Sequence, residues 1–220
     1  MDVTRLEQSV YQLATLTTTD SPVISCYLDV SQRETRFEYF LQQRAELLEK
    51  SLRGRDLIEF HEAMHSIESY LEHDFDPKTQ GLALFSRAGT DPFFLPLAFD
   101  VPLPNWLVTD TLPNIYHLIE LKETYHRFII VLVTREGRRI LEVNMGRVTE
   151  AVWTQYPELR QRVGPEWSKT YYQNYHSTAN PPTWTEELAT LTQLMQAGGY
   201  KHLIIAGEPT LTQPLKAQLP

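Results

Sequence analysis

Residues 160–176 of this 220-residue chain read Arg-Gln-Arg-Val-Gly-Pro-Glu-Trp-Ser-Lys-Thr-Tyr-Tyr-Gln-Asn-Tyr-His. Three cations, Arg160, Arg162 and Lys169, alternate with Trp167, Tyr171, Tyr172 and Tyr175. Cations position phosphates and aromatic faces stack on bases, so this composition suits contact with single-stranded RNA or the end of a tRNA. An amphipathic helix packing its aromatics on a sheet would have the same composition, and composition leaves both readings open.

A second constellation is His61-Glu62-Ala63-Met64-His65, a literal H-E-x-x-H match within a predicted helix. That spacing puts two imidazoles on one helical face, with a carboxylate placed to activate a zinc-bound water. Against it, Glu59 adds a charge where such helices are usually uncharged. No third ligand follows at a suitable spacing. The apolar stripe Leu57, Phe60, Met64, Ile67 and Leu71 passes one step from both histidines. The reading adopted is a helix edge with two solvent-facing imidazoles, so no metal is expected; a zinc hydrolase at His61, Glu62 and His65 is the alternative. Asp29 and Glu34 could pair as carboxylates near a strand end but lack an oxygen-rich partner. Cys26, the single cysteine, sits in an apolar run and reads as packing. Neither Gly198-Gly199 nor Gly207 has dinucleotide-loop spacing, and no G-x-S-x-G elbow is present. No cofactor is expected.

The elements that must carry these residues follow from periodicity. Val3, Leu6, Val10, Leu13 and Leu16 predict a helix over 2–16, broken by Ser21-Pro22. Residues 23–30 (VISCYLDV) predict a buried strand. Helices are expected over about 36–52 and 55–72, separated by Gly54. Gly81–Ser86 and Phe93–Phe99 predict a strand pair around a Gly-containing turn, with Pro96 assigning the second to an edge. Val101–Pro104 reads as extended and 112–124 as a short joining helix. Phe128–Val133 is a continuous apolar run, as in a strand buried on both faces. Arg135-Glu136-Gly137-Arg138 predicts a turn into a second strand over 139–143. About fifty residues, rich in Tyr, Trp, Arg and Asn, then precede the next buried strand near 202–207. So long a polar excursion in a compact domain points to function. Thr183-Trp-Thr-Glu186 has capping-box spacing ahead of a helix, and a last short helix is expected at 211–219. The second half is therefore expected to hold a sheet of three strands, thin enough to predict a fragment or a truncated relative of something longer.

Bulk numbers bound the class. Hydrophobic content of 42% and mean hydropathy of −0.34 describe an ordinary globular protein of one large or two small domains. No apolar run approaches a membrane span, and the N-terminus lacks the basic-then-apolar order of a signal peptide. A cytoplasmic location is expected, with no membrane partner. A net charge of −8 argues against bulk nucleic-acid binding, and no DNA partner is expected. The charge is uneven, however. Residues 1–124 carry 10 Lys/Arg against 20 Asp/Glu, a net of −10, whereas 125–176 carry 8 against 5, a net of +3. Phosphate contact belongs to the second stretch.

The order of blocks is more specific than any one motif. VISCYLDV, two helices, GLALFSRAG, FFLPLAFDVPLPNWLVTDTLPNIYHLIEL and RFIIVLVTREGRRILEVNMGRV follow one another. This layout resembles the bacterial branch of the archaeo-eukaryotic release factor and Pelota superfamily, which also looks like the Vms-type tRNA hydrolases. The resemblance implies two α/β domains, residues 1–123 and 124–220. The second would be an RNase H-like central domain, incomplete at its C-terminal end and without the L7Ae-like domain that normally follows. It also implies a role for the long excursion. In release factors that region carries a Gly-Gly-Gln loop, and bacterial relatives often carry Gly-Gly-Trp-Ser. Here Gly164 precedes Pro165-Glu166-Trp167-Ser168, so Trp167 and Ser168 match the variant while both glycines are replaced. Proline fixes φ and removes an N–H, and Glu166 brings negative charge. The implied function is ribosome or tRNA association, in rescue or hibernation, without efficient peptidyl-tRNA hydrolysis. Arg160, Arg162, Gly164, Trp167, Ser168, Lys169, Tyr171 and Tyr172 would form the RNA-contacting arm. An active hydrolase using Glu166 and Trp167 is one alternative, and a protein-interaction module without RNA contact is another.

Overall fold

The block VISCYLDV forms strand β1 (Val23–Asp29). It is apolar on both faces because it is an inner strand with helices on each side. The computed structural model describes residues 2–31, 36–155, 184–197 and 199–219. They divide into two units, Met1–His126 with Asn144–Arg147, and Arg127–Val143 with Val148–Pro220.

The first unit holds α1 (Val3–Ala14), β1, α2 (Arg36–Glu49), α3 (Gly54–His73), β2 (Gly81–Arg87), β3 (Phe93–Phe99), β4 (Trp106–Asp110) and α4 (Tyr116–Thr124). Its sheet has the order β3-β2-β1-β4, antiparallel throughout. Side-chain alternation sorts the two cores. Ile24, Cys26 and Leu28 pack with Leu82 and Leu84 against Leu41, Phe60, Met64 and Ile67 of α2 and α3. Tyr27, Ala83 and Phe85 pack against Leu6, Leu13, Leu118 and Leu121 of α1 and α4. Asp2 caps α1 by accepting from the Arg5 N–H at 2.8 Å. The β2–β3 turn is held by Arg87, which is buried. Its guanidinium donates to the Asp91 carbonyl and carboxylate (2.9 and 2.6 Å) and to the Thr17 carbonyl (2.9 Å). Those bonds fix Asp91 at a left-handed φ of 55°.

β4 is absent from the sequence expectation, which stops at the extended Val101–Pro104 connector. Only Leu107 of its five residues is fully buried, and Thr109 and Asp110 cut its apolar run to three residues. Both outer strands of this sheet are partly closed. Arg44 Nε donates to the Leu107 carbonyl of β4 at 3.2 Å, and Pro96 lies in β3, opposite Leu84.

The second unit holds β5 (Phe128–Val133), β6 (Gly137–Asn144), β7 (Arg147–Gln155), α5 (Thr185–Ala197), β8 (Leu203–Gly207) and α6 (Pro209–Lys216). The order is β7-β6-β5-β8, with β5 antiparallel to β6 and parallel to β8. The expected three-strand sheet is therefore corrected to four strands. β7 escaped notice because its described side chains are exposed or half-buried, and because its entry turn is Met145-Gly146 rather than Asn-Gly. Both residues are left-handed (φ 51° and 75°), as two-residue hairpin turns require. Arg138 is likewise corrected from turn to strand: β6 begins at Gly137, and the turn closes one residue earlier with Thr134 N–H bonded to the Gly137 carbonyl. Ile129, Val131, Val133 and Ile140 pack against Leu191 of α5 and Leu215 of α6. Chain and sheets are thus mixed α/β, as expected.

Candidate functional site

The aromatic-cationic arm, Arg160, Arg162, Gly164, Glu166, Trp167, Ser168, Lys169, Tyr171, Tyr172 and Tyr175, lies outside the described residues. So do Glu34 and the capping residue Thr183. The described residues instead show the frame on either side of that segment: β7, which runs to Gln155, and α5, whose first turn follows Trp184.

The base of α5 is held by a buried charge cluster. Arg138 of β6 points to the helix face of the sheet, the side that carries Ile140. Its guanidinium lies 3.8 Å from the centre of the Trp184 ring and 3.0 Å from Glu187 Oε1. All three residues are at least 96% buried. Charge pairing and stacking on an indole face offset the cost of removing the guanidinium from water. Leu188 N–H bonds the Trp184 carbonyl at 2.8 Å, starting the helix directly above this cluster. Next to it, Tyr200 donates to Glu142 Oε2 at 2.7 Å, and Arg127 stacks over the Tyr200 ring at 5.5 Å.

On the opposite face of the same sheet Arg139 lies 4.0 Å over the ring of Trp153, on neighbouring strands β6 and β7. Both side chains are exposed. Sequence reading passed over Arg138, Arg139, Trp153, Trp184 and Glu187. The usable signal was a strand with two consecutive arginines, since successive strand residues point to opposite faces and one of the two had to be buried or paired.

The structure keeps the H-E-x-x-H residues on the outside of α3: His61, Glu62 and His65 are all exposed, while Phe60, Ala63, Met64 and Ile67 face the core. His61 Nδ1 is 3.9 Å from Glu49, and its ring meets Phe60 edge-on. Among the described residues no group of three or more His, Cys, Asp and Glu side chains is gathered as a metal site would need. Asp29 makes a local turn instead, accepting from the Ser31 N–H and hydroxyl at 3.0 and 2.6 Å. Glu59, read from sequence only as an unwelcome charge, is buried. Arg55 Nε reaches its Oε1 at 2.6 Å, and Gly89, at φ 70°, comes so near that a Cβ would meet that oxygen at 2.2 Å. Cys26 is fully buried, and desolvation pushes its thiol above the ordinary range. That is the inert, packing cysteine expected.

Residues 113–220 match the family model for bacterial archaeo-eukaryotic release factor family 10. Over these residues, just under half of the chain, the sequence is similar to that family. The matched stretch contains the hairpin, the arm and the whole Arg138–Trp184–Glu187 cluster. Among solved structures, an archaeal translation termination factor, aRF1, is similar at 16% identity and a TM-score of 0.46, over 97% of this chain and 59% of that one. A structure titled only as an archaeal protein is similar at 16% identity and a TM-score of 0.45, over 100% of this chain and 61% of that one. The chain thus spans about three fifths of the length of these solved relatives. No curated protein matches. Among the described residues no helix is long and apolar enough to cross a membrane.

Proposed function

We propose that this chain is a translation-associated, release-factor-like protein that contacts the ribosome or tRNA through residues 160–176. The observation that carries the reading is a family-matched segment whose own sequence sets Arg160, Arg162 and Lys169 among Trp167, Tyr171 and Tyr172. Cations of this kind hold phosphates and the aromatics stack on unpaired bases. The buried cluster under α5 supports it, because it fixes Trp184 and the start of α5, the described residues that follow the segment in sequence. The tip departs from a hydrolytic one. Pro165 and Glu166 stand where a glycine pair would allow close backbone approach, so association proceeds without efficient peptidyl-tRNA hydrolysis.

Co-sedimentation with purified ribosomes tests association. The wild-type chain pellets with ribosomes at low salt, and the R160A/R162A/K169A variant stays in the supernatant. Equal pelleting of the two would end the proposal. Hydrolysis is assayed on ribosomes carrying labelled peptidyl-tRNA. Release above background that disappears in the Glu166→Ala, Trp167→Ala double variant would replace the non-hydrolytic reading with an active enzyme.

A further inference from the structure

We propose that the open face of the second sheet is a stacking platform for single-stranded RNA, centred on Trp153 and Arg139. The inference deepens the ribosome- or tRNA-contact reading, but it concerns another surface. The apolar side chains of α5 and α6 gather on one face with Ile129, Val131, Val133, Ile140 and Val152. The registers Val131↔Ile140 and Val131↔Ile205 then assign the even positions of β5 and β8, and the odd positions of β6, to the other face. Trp153 joins them by its contact with Arg139. Two large apolar side chains on this face remain open to solvent, Trp153 at 39% and Ile204 at 47%. They stand on the two outer strands, β7 and β8, so the platform is centred on Trp153 and its Arg139 neighbour rather than on a continuous apolar patch.

Its chemistry selects the partner. Among the described strand residues on this face of β5, β6 and β8 there is no Asp or Glu, in a protein of net charge −8. The cation present, Arg139, already has its guanidinium carbon 4.0 Å from the centre of the Trp153 ring. A guanidinium on an indole leaves its N–H donors at the rim, where a phosphate can reach them, beside a flat aromatic surface for a base. Flat, aromatic, cationic and free of carboxylates is the description of a sheet that receives unpaired nucleobases. A duplex would present its bases edge-on and stacked, and could not use the indole.

Fluorescence anisotropy with a labelled single-stranded RNA decamer, using the full chain, tests this. The wild type binds the single strand more tightly than the same sequence as a duplex. Trp153→Ala weakens the single strand about 10-fold and Trp153→Phe restores most of that loss. Arg139→Ala weakens it too and flattens the salt dependence. Unchanged affinity in Trp153→Ala overturns the platform, as does equal affinity for single strand and duplex. The R160A/R162A/K169A variant separates the two surfaces. If it abolishes decamer binding while Trp153→Ala does not, the platform falls and the arm stands. If ribosome pelleting is insensitive to the arm while Trp153 still governs decamer binding, the platform stands and the arm falls. A change of molecular mass by light scattering in Trp153→Ala, without a change in RNA affinity, would make this face a contact between copies of the chain and also overturn the proposal.

Discussion

Arg138 and Glu187 illustrate how one residue's burial decides what its substitution does. Each is nearly inaccessible, and each is the other's counter-charge at 3.0 Å. Removing one partner leaves an uncompensated buried charge, so Glu187→Ala is expected to lose about 3–5 kcal/mol of stability by urea denaturation. Replacing both, as Arg138→Met with Glu187→Leu, removes the charge altogether and is expected to be close to neutral. The same logic governs Cys26 and Tyr27, whose acid forms are held by desolvation. Folding raises both values, so each contribution is fully present below the group's ordinary value, 9.0 for the Cys26 thiol and 10.0 for the Tyr27 phenol, and is lost as pH rises past it. The unfolded chain can ionise Cys26, and then Tyr27, where the folded chain cannot. The unfolding free energy is expected to hold steady to about pH 9 and then fall, by up to about 1.4 kcal/mol per pH unit for each group. Cys26→Ser should remove the first part of that fall.

Among the elements, β8 depends most on a single backbone position. Gly207 ends it at φ 143°, and a Cβ there would sit 2.2 Å from the Val133 carbonyl oxygen, on the paired strand β5. Gly54, at φ 57°, opens α3 with nothing within 4 Å of the same added atom. Gly54→Ala is expected to cost only the left-handed backbone penalty, about 1 kcal/mol, and Gly207→Ala about 3 kcal/mol with loss of the β5–β8 pairing. Thermal unfolding of the two variants compares them directly. The elements also show what could be read beforehand. β1, β2, β3 and β5 were legible because apolar runs or alternation mark strands with helices or partners around them. β4 and β7 were not, since Thr109 and Asp110 in one and Arg147, Thr149 and Glu150 in the other interrupt the apolar pattern. The arm is a reading of cations and aromatics in the sequence, and it lies outside the described residues. The cluster under α5 was not legible, because Arg138 looks like a turn residue until the register places it opposite Val133.

For the whole molecule, charge is the property that reaches furthest. The −10 of residues 1–124 and the +3 of 125–176 make the first stretch repel phosphates and the second attract them. If Arg160, Arg162 and Lys169 each neutralise one phosphate of a single strand, log affinity should fall against log salt with a slope near −2. The R160A/R162A/K169A variant should be nearly flat in the same titration. Salt-independent binding by the wild type would mean that apolar contact, not phosphate neutralisation, dominates. The rims of the first sheet have a separate consequence. An arginine already occupies a carbonyl of β4 and a proline withholds an amide from β3, so neither border offers an unbroken ladder to an incoming strand. That unit is built against edge-to-edge aggregation, and a partner peptide that recruits by β-strand addition would find no template on it.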